Sequence, residues 1–167
     1  MRLTIIGGDG AFPAPNGACN GYLVDHDGFR LLIDPGYAVF PRLRQDIDAV
    51  YITHGHPDHC ADLNPLLRAR SMAEAKPLPV YALPGALNAV LALDRPGWLD
   101  DTYALTEFDA GDTFDIGPFS LRTTNLPHFL PNAGVRLTVA GKAIAYTGDT
   151  GPSPVLREFA ADADLLL

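Results

Sequence analysis

The sequence predicts a strand-rich α/β domain, and three observations carry that prediction. Short β-prone runs recur along the chain at 2–6, 21–25, 29–33, 48–53, 78–82, 103–108, 113–116, 119–125, 134–140 and 143–147. Two pairs are joined by tight-turn signals, Asp27-Gly28 and a glycine-first turn at Gly141-Lys142, which suit antiparallel hairpins. The helical stretches are few and do not alternate with strands in the βαβ series that a parallel doubly wound sheet requires.

Each element has a local reason. Residues 2–6, 21–25 and 29–33 are rich in Leu, Ile, Val, Phe and Tyr, and the last two flank Asp27-Gly28. A short helix is expected over 37–45 despite Pro41. A longer one is expected over 61–75, where Leu63, Leu66, Leu67 and Met72 would form a stripe against a sheet, with the regular helix beginning near Pro65 in its first turn. After Lys76-Pro77 the run 78–82 reads as a buried strand and 85–93 as helical, until Asp94-Arg95-Pro96-Gly97 breaks the pattern. The segment 98–102 has no clear assignment; Trp98 is placed either at substrate entry or as a local packing anchor. Ser153 and Pro154 begin a helix over 154–161, with Ser at the N-cap and Pro at the first helical position. The final residues, 163–167, read as the start of a strand.

Composition fits one globular domain over 1–167, with 47% hydrophobic and 19% charged residues. A chain of this length buries about 70% of its unfolded surface, enough for a core. No apolar run approaches the ~18 residues that a bilayer span needs, so no membrane partner is expected. Met1-Arg2 leads straight into a strand without the apolar stretch of a signal peptide, which predicts a cytoplasmic location. The net charge of -8 weighs against a broad nucleic-acid surface, and the basic pairs at 42–44 and 68–70 read as solvated helix faces. Cys19 and Cys60 are expected to be buried and unpaired.

The chemistry is concentrated in one place. His54, Gly55, His56, Pro57, Asp58 and His59 put three imidazoles and a carboxylate into six positions directly after the strand-like run 48–53. Of the five histidines, three stand here, and His128 lies in one later loop. Imidazole and carboxylate without a thiolate pair suit Zn²⁺ first and Mn²⁺ or Fe²⁺ next, and argue against Ca²⁺ or Mg²⁺. Side chains on such a loop can face two sides, so one or two ions are expected.

Thr53 to His59 resembles the T-H-x-H-x-D-H signature of the metallo-β-lactamase superfamily. Further segments match in order: the strand and glycine turn at 2–8, the strand ending at Asp34-Pro35-Gly36, Pro127-His128, and the strand ending at Asp149 within 146–150. The resemblance runs along nearly the whole chain and is nearest to the RNase Z-like phosphodiesterase branch. It implies the αββα sandwich of two mixed sheets packed face to face with helices outside.

It also implies roles. His54, His56 and His128 would hold a first cation, Asp58 and His59 a second, and Asp149 would lie between the two. Asp34 is expected either to hydrogen-bond a ligand histidine or to stabilise its own turn. A carboxylate bridge, where the zinc β-lactamases carry cysteine, points to hydrolases of phosphodiesters, thioesters and lactones. A metal-activated water would be the nucleophile, since Zn²⁺ lowers the pKa of bound water from ~15.7 to about 7. Asp58 is the candidate catalytic residue, placed to ligate, to orient that water or to accept its proton. Arg136 is either a phosphate contact or, as an Arg on a strand more often is, a surface residue.

The family's last metal-binding histidine comes after the bridging aspartate, and no histidine follows Asp149 here. The second cation is therefore expected to bind more weakly or to be absent, and the apolar end at Leu165-Leu166-Leu167 reads as that of a C-terminally incomplete chain, a fragment of a longer protein, with a homodimer covering the open sheet edge. The substrate is expected to be a small phosphodiester or other ester. tRNA is a weak candidate, because the flexible basic arm of the tRNA-processing relatives is absent. The competing readings are a thioester or lactone hydrolase and a metal-binding but inactive scaffold.

Overall fold

The computed structural model describes all 167 residues. One sheet contains β1 (Arg2–Gly7), β2 (Gly21–His26), β3 (Phe29–Ile33), β4 (Ala49–Tyr51), β5 (Leu78–Ala82) and β6 (Tyr103–Glu107), in that spatial order. The other contains β7 (Thr113–Ile116), β8 (Phe119–Asn125), β9 (Ala133–Val139), β10 (Lys142–Tyr146) and β11 (Leu165–Leu166), ordered β11-β10-β9-β8-β7. Both sheets are mixed. β1 to β3 pair antiparallel and β3 to β6 parallel, while β7 to β10 pair antiparallel and β11 adds in parallel.

Strand periodicity builds the layers. Successive side chains point to opposite faces, so Leu31 and Ile33 of β3, with Ala49 and Tyr51 of β4, face the second sheet. They meet Phe119, Leu121, Val135, Leu137, Ile144 and Tyr146 in a dry inter-sheet core. The intervening Leu32 and Val50 point the other way, onto α2 (Leu63–Met72) through Leu63, Leu66 and Leu67. On the far side Ala145 and Leu126 pack with Phe159 of α4 (Val155–Phe159). The order helix, sheet, sheet, helix is the predicted αββα sandwich.

Both hairpin turns have two central residues in the left-handed region: Asp27 and Gly28 at φ 50° and 87°, Ala140 and Gly141 at φ 49° and 71°. The second turn is therefore Ala140-Gly141, and Lys142 already pairs with Val139 as part of β10. A twisted antiparallel pair favours this geometry, and glycine stands second, where the sequence reading placed it first.

Several helices are shorter than their sequence patterns predict. Over 37–45 only one 3₁₀ turn forms, Phe40–Arg42, because Pro41 removes an amide donor and disfavours helix in the residue before it. Over 85–93 the helix is α3 (Asn88–Leu91), since Gly85 at φ 73° cannot be helical. Met72 is 79% exposed. At 3.6 residues per turn it lies about 180° around α2 from Leu63, off the stripe assigned to it. Trp98 packs against the helix-side core with the Arg68 guanidinium 4.6 Å over its ring, which makes it the local anchor. Ser153 Oγ accepts from the Val155 amide at 3.3 Å, satisfying one free donor at the start of α4.

Both cysteines are free and buried. Cys60 Sγ donates to the His56 carbonyl at 3.3 Å, and burial, reinforced by the carboxylates of Asp34 and Asp58, pushes its thiol up to about 12. The thiolate is the reactive form. Neither thiol should react with Ellman's reagent until the chain is denatured; rapid labelling of the native protein would contradict this packing.

Candidate metal centre

The chain's donor residues gather at one end of the sandwich. β4 ends at Tyr51 and delivers His54 and His56 on the following loop. α1 (Pro57–Cys60) then carries Asp58 and His59 on a single helical turn opened by Pro57. The motif is thus half loop and half helix, and this change of backbone separates its ligands into two sets. His128 lies in the loop after β8 and Asp149 in the loop after β10, so the second sheet contributes across the gap. Asp34 follows β3, beneath the others.

Close packing makes the convergence possible. A Cβ on Gly36 would stand 1.9 Å from the Asp58 carbonyl oxygen, so the turn after Asp34 can lie against α1 only as glycine. A Cβ on Gly148 would stand 2.5 Å from Asn132 Oδ1. The Asn132 side chain is fully buried and donates through Nδ2 to the carbonyls of Thr147 at 3.0 Å and Asp149 at 2.6 Å, which braces the loop presenting Asp149.

Two donor groups result, one of His54, His56, His128 and Asp149, the other of Asp58, His59 and Asp149, each with its ligand atoms within 4.8 Å of one another. In the first, His56 Nδ1 lies 2.9 Å from His54 Nε2 and 3.0 Å from His128 Nε2. Asp149 Oδ2 lies 4.0 Å from His54 Nε2 and 3.9 Å from His128 Nε2. In the second, His59 Nε2 lies 3.3 Å from Asp149 Oδ1 and 3.5 Å from Asp58 Oδ2. Ligands about 2.05 Å from a tetrahedral Zn²⁺ stand roughly 3.3 Å apart, and the observed separations bracket that edge. Asp149 turns one oxygen to each group.

Hydrogen bonding decides which ring nitrogens are free, as tautomers are inferred from their partners. Asp34 is fully buried and sits at φ 49°. Its Oδ1 accepts from the Thr53 amide at 2.8 Å. Its Oδ2 accepts from Thr53 Oγ1 at 2.6 Å, His59 Nδ1 at 2.7 Å and Tyr146 OH at 2.9 Å. With its proton given to Asp34, Thr53 Oγ1 can only accept from His54 Nδ1, 3.0 Å away. One aspartate therefore leaves Nε2 of both His59 and His54 as a lone pair aimed into the donor groups.

Electrostatics agree for the first group. Burial, then the neighbouring His59, brings His54 down to about 4, and burial with His128 lowers His56, so both rings are neutral near pH 7. At His59 burial opposes charge most strongly, but the carboxylates of Asp34, Asp149 and Asp58 together outweigh it and the net shift is upward. A cation at its Nε2 would compete with a proton there.

Of the residues singled out from sequence, His54, His56, Asp58, His59, His128, Asp149 and Asp34 all come together. Arg136 does not. Its guanidinium donates to the carbonyls of Ala161 at 2.7 Å and Asp162 at 3.2 Å beyond α4, so it is committed to chain packing and not to a phosphate. Sequence reasoning missed Asn132, Tyr146 and Phe129 as contributors. Phe129 is 84% exposed, with its ring centroid 4.8 Å from His56 and 4.4 Å from His128, and forms a bare apolar wall beside the first group. Its position directly after His128 was the available signal.

An αββα sandwich with two histidine-carboxylate groups sharing one aspartate defines a metallo-β-lactamase fold. The family described as the beta-lactamase superfamily domain matches residues 29–167, and the chain belongs to it. Among its relatives is YhfI of Bacillus subtilis, described as a probable metallo-hydrolase and 29% identical over 177 residues, covering 100% of this chain and 71% of YhfI. The crystal structure of YhfI superposes with a TM-score of 0.88 at 30% identity, over 98% of this chain and 68% of that one. Ribonuclease Z of Mycobacterium bovis is 27% identical over 193 residues, covering 100% of this chain and 69% of the enzyme. Zn²⁺-bound PqqB from Methylobacterium extorquens shares the fold, with a TM-score of 0.76 at 21% identity over 99% of this chain and 71% of PqqB. No helix is long and apolar enough to cross a membrane.

Proposed function

We propose that this chain is a metal-dependent hydrolase of small phosphodiesters. The observation that carries the reading is Asp149, whose two oxygens divide between the two donor groups. His54, His56, His128 and Asp149 would hold one cation, and Asp58, His59 and Asp149 the other. Zn²⁺ is the first choice, from the nitrogen-rich donor set and from the zinc found in a protein of the same fold. Bound cations would supply Lewis-acid activation of water and neutralise charge developing on the phosphoryl oxygens.

The protein's own part is orientation and charge. Asp34 and Thr53 fix the rings of His59 and His54. Asp58, 8% exposed and beside His59, is the group that would orient the attacking water or take its proton. Without cations, the carboxylates of Asp34, Asp58 and Asp149 would repel a phosphodiester, so anion binding depends on the metal. The similarity to ribonuclease Z favours phosphorus over carbon as the centre attacked, while the net charge of -8 favours a small substrate over tRNA.

Elemental analysis of the purified chain, paired with assays on bis(p-nitrophenyl) phosphate and a thioester and lactone panel, tests the reading. Zinc-dependent turnover of the phosphodiester, lost to chelator and restored by Zn²⁺, is expected. Preference for thioesters or lactones would reassign the substrate. Bound zinc with no turnover of any ester would make the chain a metal-binding scaffold.

A further inference from the structure

We propose that the side chain of Asn20 is an oxygen ligand of the second cation, beside Asp58, His59 and Asp149. The inference rests on the two-cation reading above and assigns a donor that the histidine-rich motif does not contain.

The geometry starts from His59. Its Nδ1 is spent on Asp34, so Nε2 is the nitrogen that looks into the second group. The Asn20 carboxamide lies on that nitrogen, with Nδ2 2.9 Å from His59 Nε2. Its other end is held by Tyr22 OH, 3.1 Å from Asn20 Oδ1. The two ends of a carboxamide are exchanged by rotation, and their assignment follows from what each one meets. In the absence of a cation the NH₂ end faces the His59 lone pair, as a donor should. With a cation on that lone pair, the oxygen end is the one attracted. Tyr22 OH satisfies either arrangement, since a hydroxyl both donates and accepts.

The placement is also held by the backbone. Asn20 immediately precedes β2, and its carbonyl accepts from the Gly36 amide at 2.8 Å, tying it to the turn that follows Asp34. Asn20 thus sits at the same end of the sandwich as the other donors. Carboxamide oxygen is a hard donor, less basic than carboxylate, so a site completed by Asn20 should hold its cation less tightly than the histidine-rich first group.

Metal stoichiometry and a competitive zinc titration of the whole chain, compared with Asn20→Ala, Asn20→Asp and Tyr22→Phe, test the assignment. Asn20→Ala should keep the first cation and weaken the second by at least about 10-fold, so that zinc falls from about two equivalents toward one after desalting. Asn20→Asp should keep both, and Tyr22→Phe should weaken the second by less than Asn20→Ala does. If Asn20→Ala fails to fold by circular dichroism, Asn20→Ser, too short to reach the cation, takes its place with the same expected loss. Second-site affinity unchanged or tightened in Asn20→Ala, or its Ser substitute, overturns the proposal while leaving the two-cation reading intact. A wild-type chain that binds one cation also overturns it, and one that binds none removes the metal-dependent reading itself.

Discussion

Replacing Asp34 with Ala is expected to remove at least roughly 4 kcal/mol of stability, because four buried donors lose their acceptor and each one left unpaired costs about 1–3 kcal/mol. Three residues lose their acceptor: Thr53, at both its amide and its hydroxyl, His59 and Tyr146. All of these groups are buried, so water cannot readily take over. Alanine must also hold the left-handed conformation that Asp34 has at φ 49°, which adds about 1 kcal/mol. For a chain of this size the sum, roughly 5 kcal/mol or more, corresponds to a fall in Tm of at least about 10 °C. The measurement belongs in chelator, so that metal binding does not enter the stability. Asp34→Asn should recover only part of the loss, since its NH₂ group replaces one accepting oxygen, at best the Oδ1 that accepts from the Thr53 amide. A Tm in Asp34→Ala within ~3 °C of wild type would refute the account. The same substitution should weaken zinc binding by about 10–100-fold, because the rings of His59 and His54 lose the contacts that select their tautomers.

Replacing His128 with Ala should have the opposite profile, a large effect on metal and little on folding. The residue lies in an irregular loop, and its Nε2 meets only His56 and Asp149. Truncation leaves the first cation with His54, His56 and Asp149. Zinc affinity at that site should fall at least about 100-fold, beyond the ~10–100-fold that follows loss of a supporting partner, with turnover of bis(p-nitrophenyl) phosphate falling toward background. In chelator its Tm should stay within about 2 °C of wild type, as for substitutions outside the core. Unchanged zinc content after dialysis would remove His128 from the ligand set and would take the first site with it.

How much was legible in the sequence follows from how local each feature is. Strand bounds such as 113–116 and 119–125 match the structure residue for residue, because an alternating strand between two turns is specified by neighbours along the chain. Helix extents were less legible. Met72 was read into an apolar stripe although its angular position on α2 excludes it, and the stretch 37–45 keeps only one 3₁₀ turn around Pro41. The donor residues were legible because chemistry-bearing side chains stand out by type, whether or not their spacing reveals geometry. Their supporting partners were not: Asn132, Tyr146 and Asn20 are ordinary residue types whose importance comes from what they touch. For Arg136 residue type left a phosphate contact and a surface role open, and the fold spends its guanidinium on the carbonyls of Ala161 and Asp162.

From residue order alone came the strand-rich α/β plan and the inventory of imidazoles and carboxylates, since hydrophobic period, turn chemistry and donor type are written into short stretches of chain. Tertiary structure alone decided that Asp149 turns one oxygen to each donor group, that Asp34 settles two histidine tautomers at once, and that Asn20 meets His59 across 39 positions. These contacts join residues far apart in sequence. They exist only because two sheets, each with an apolar face to hide from water, close on a common core and bring their loop-bearing ends to one place.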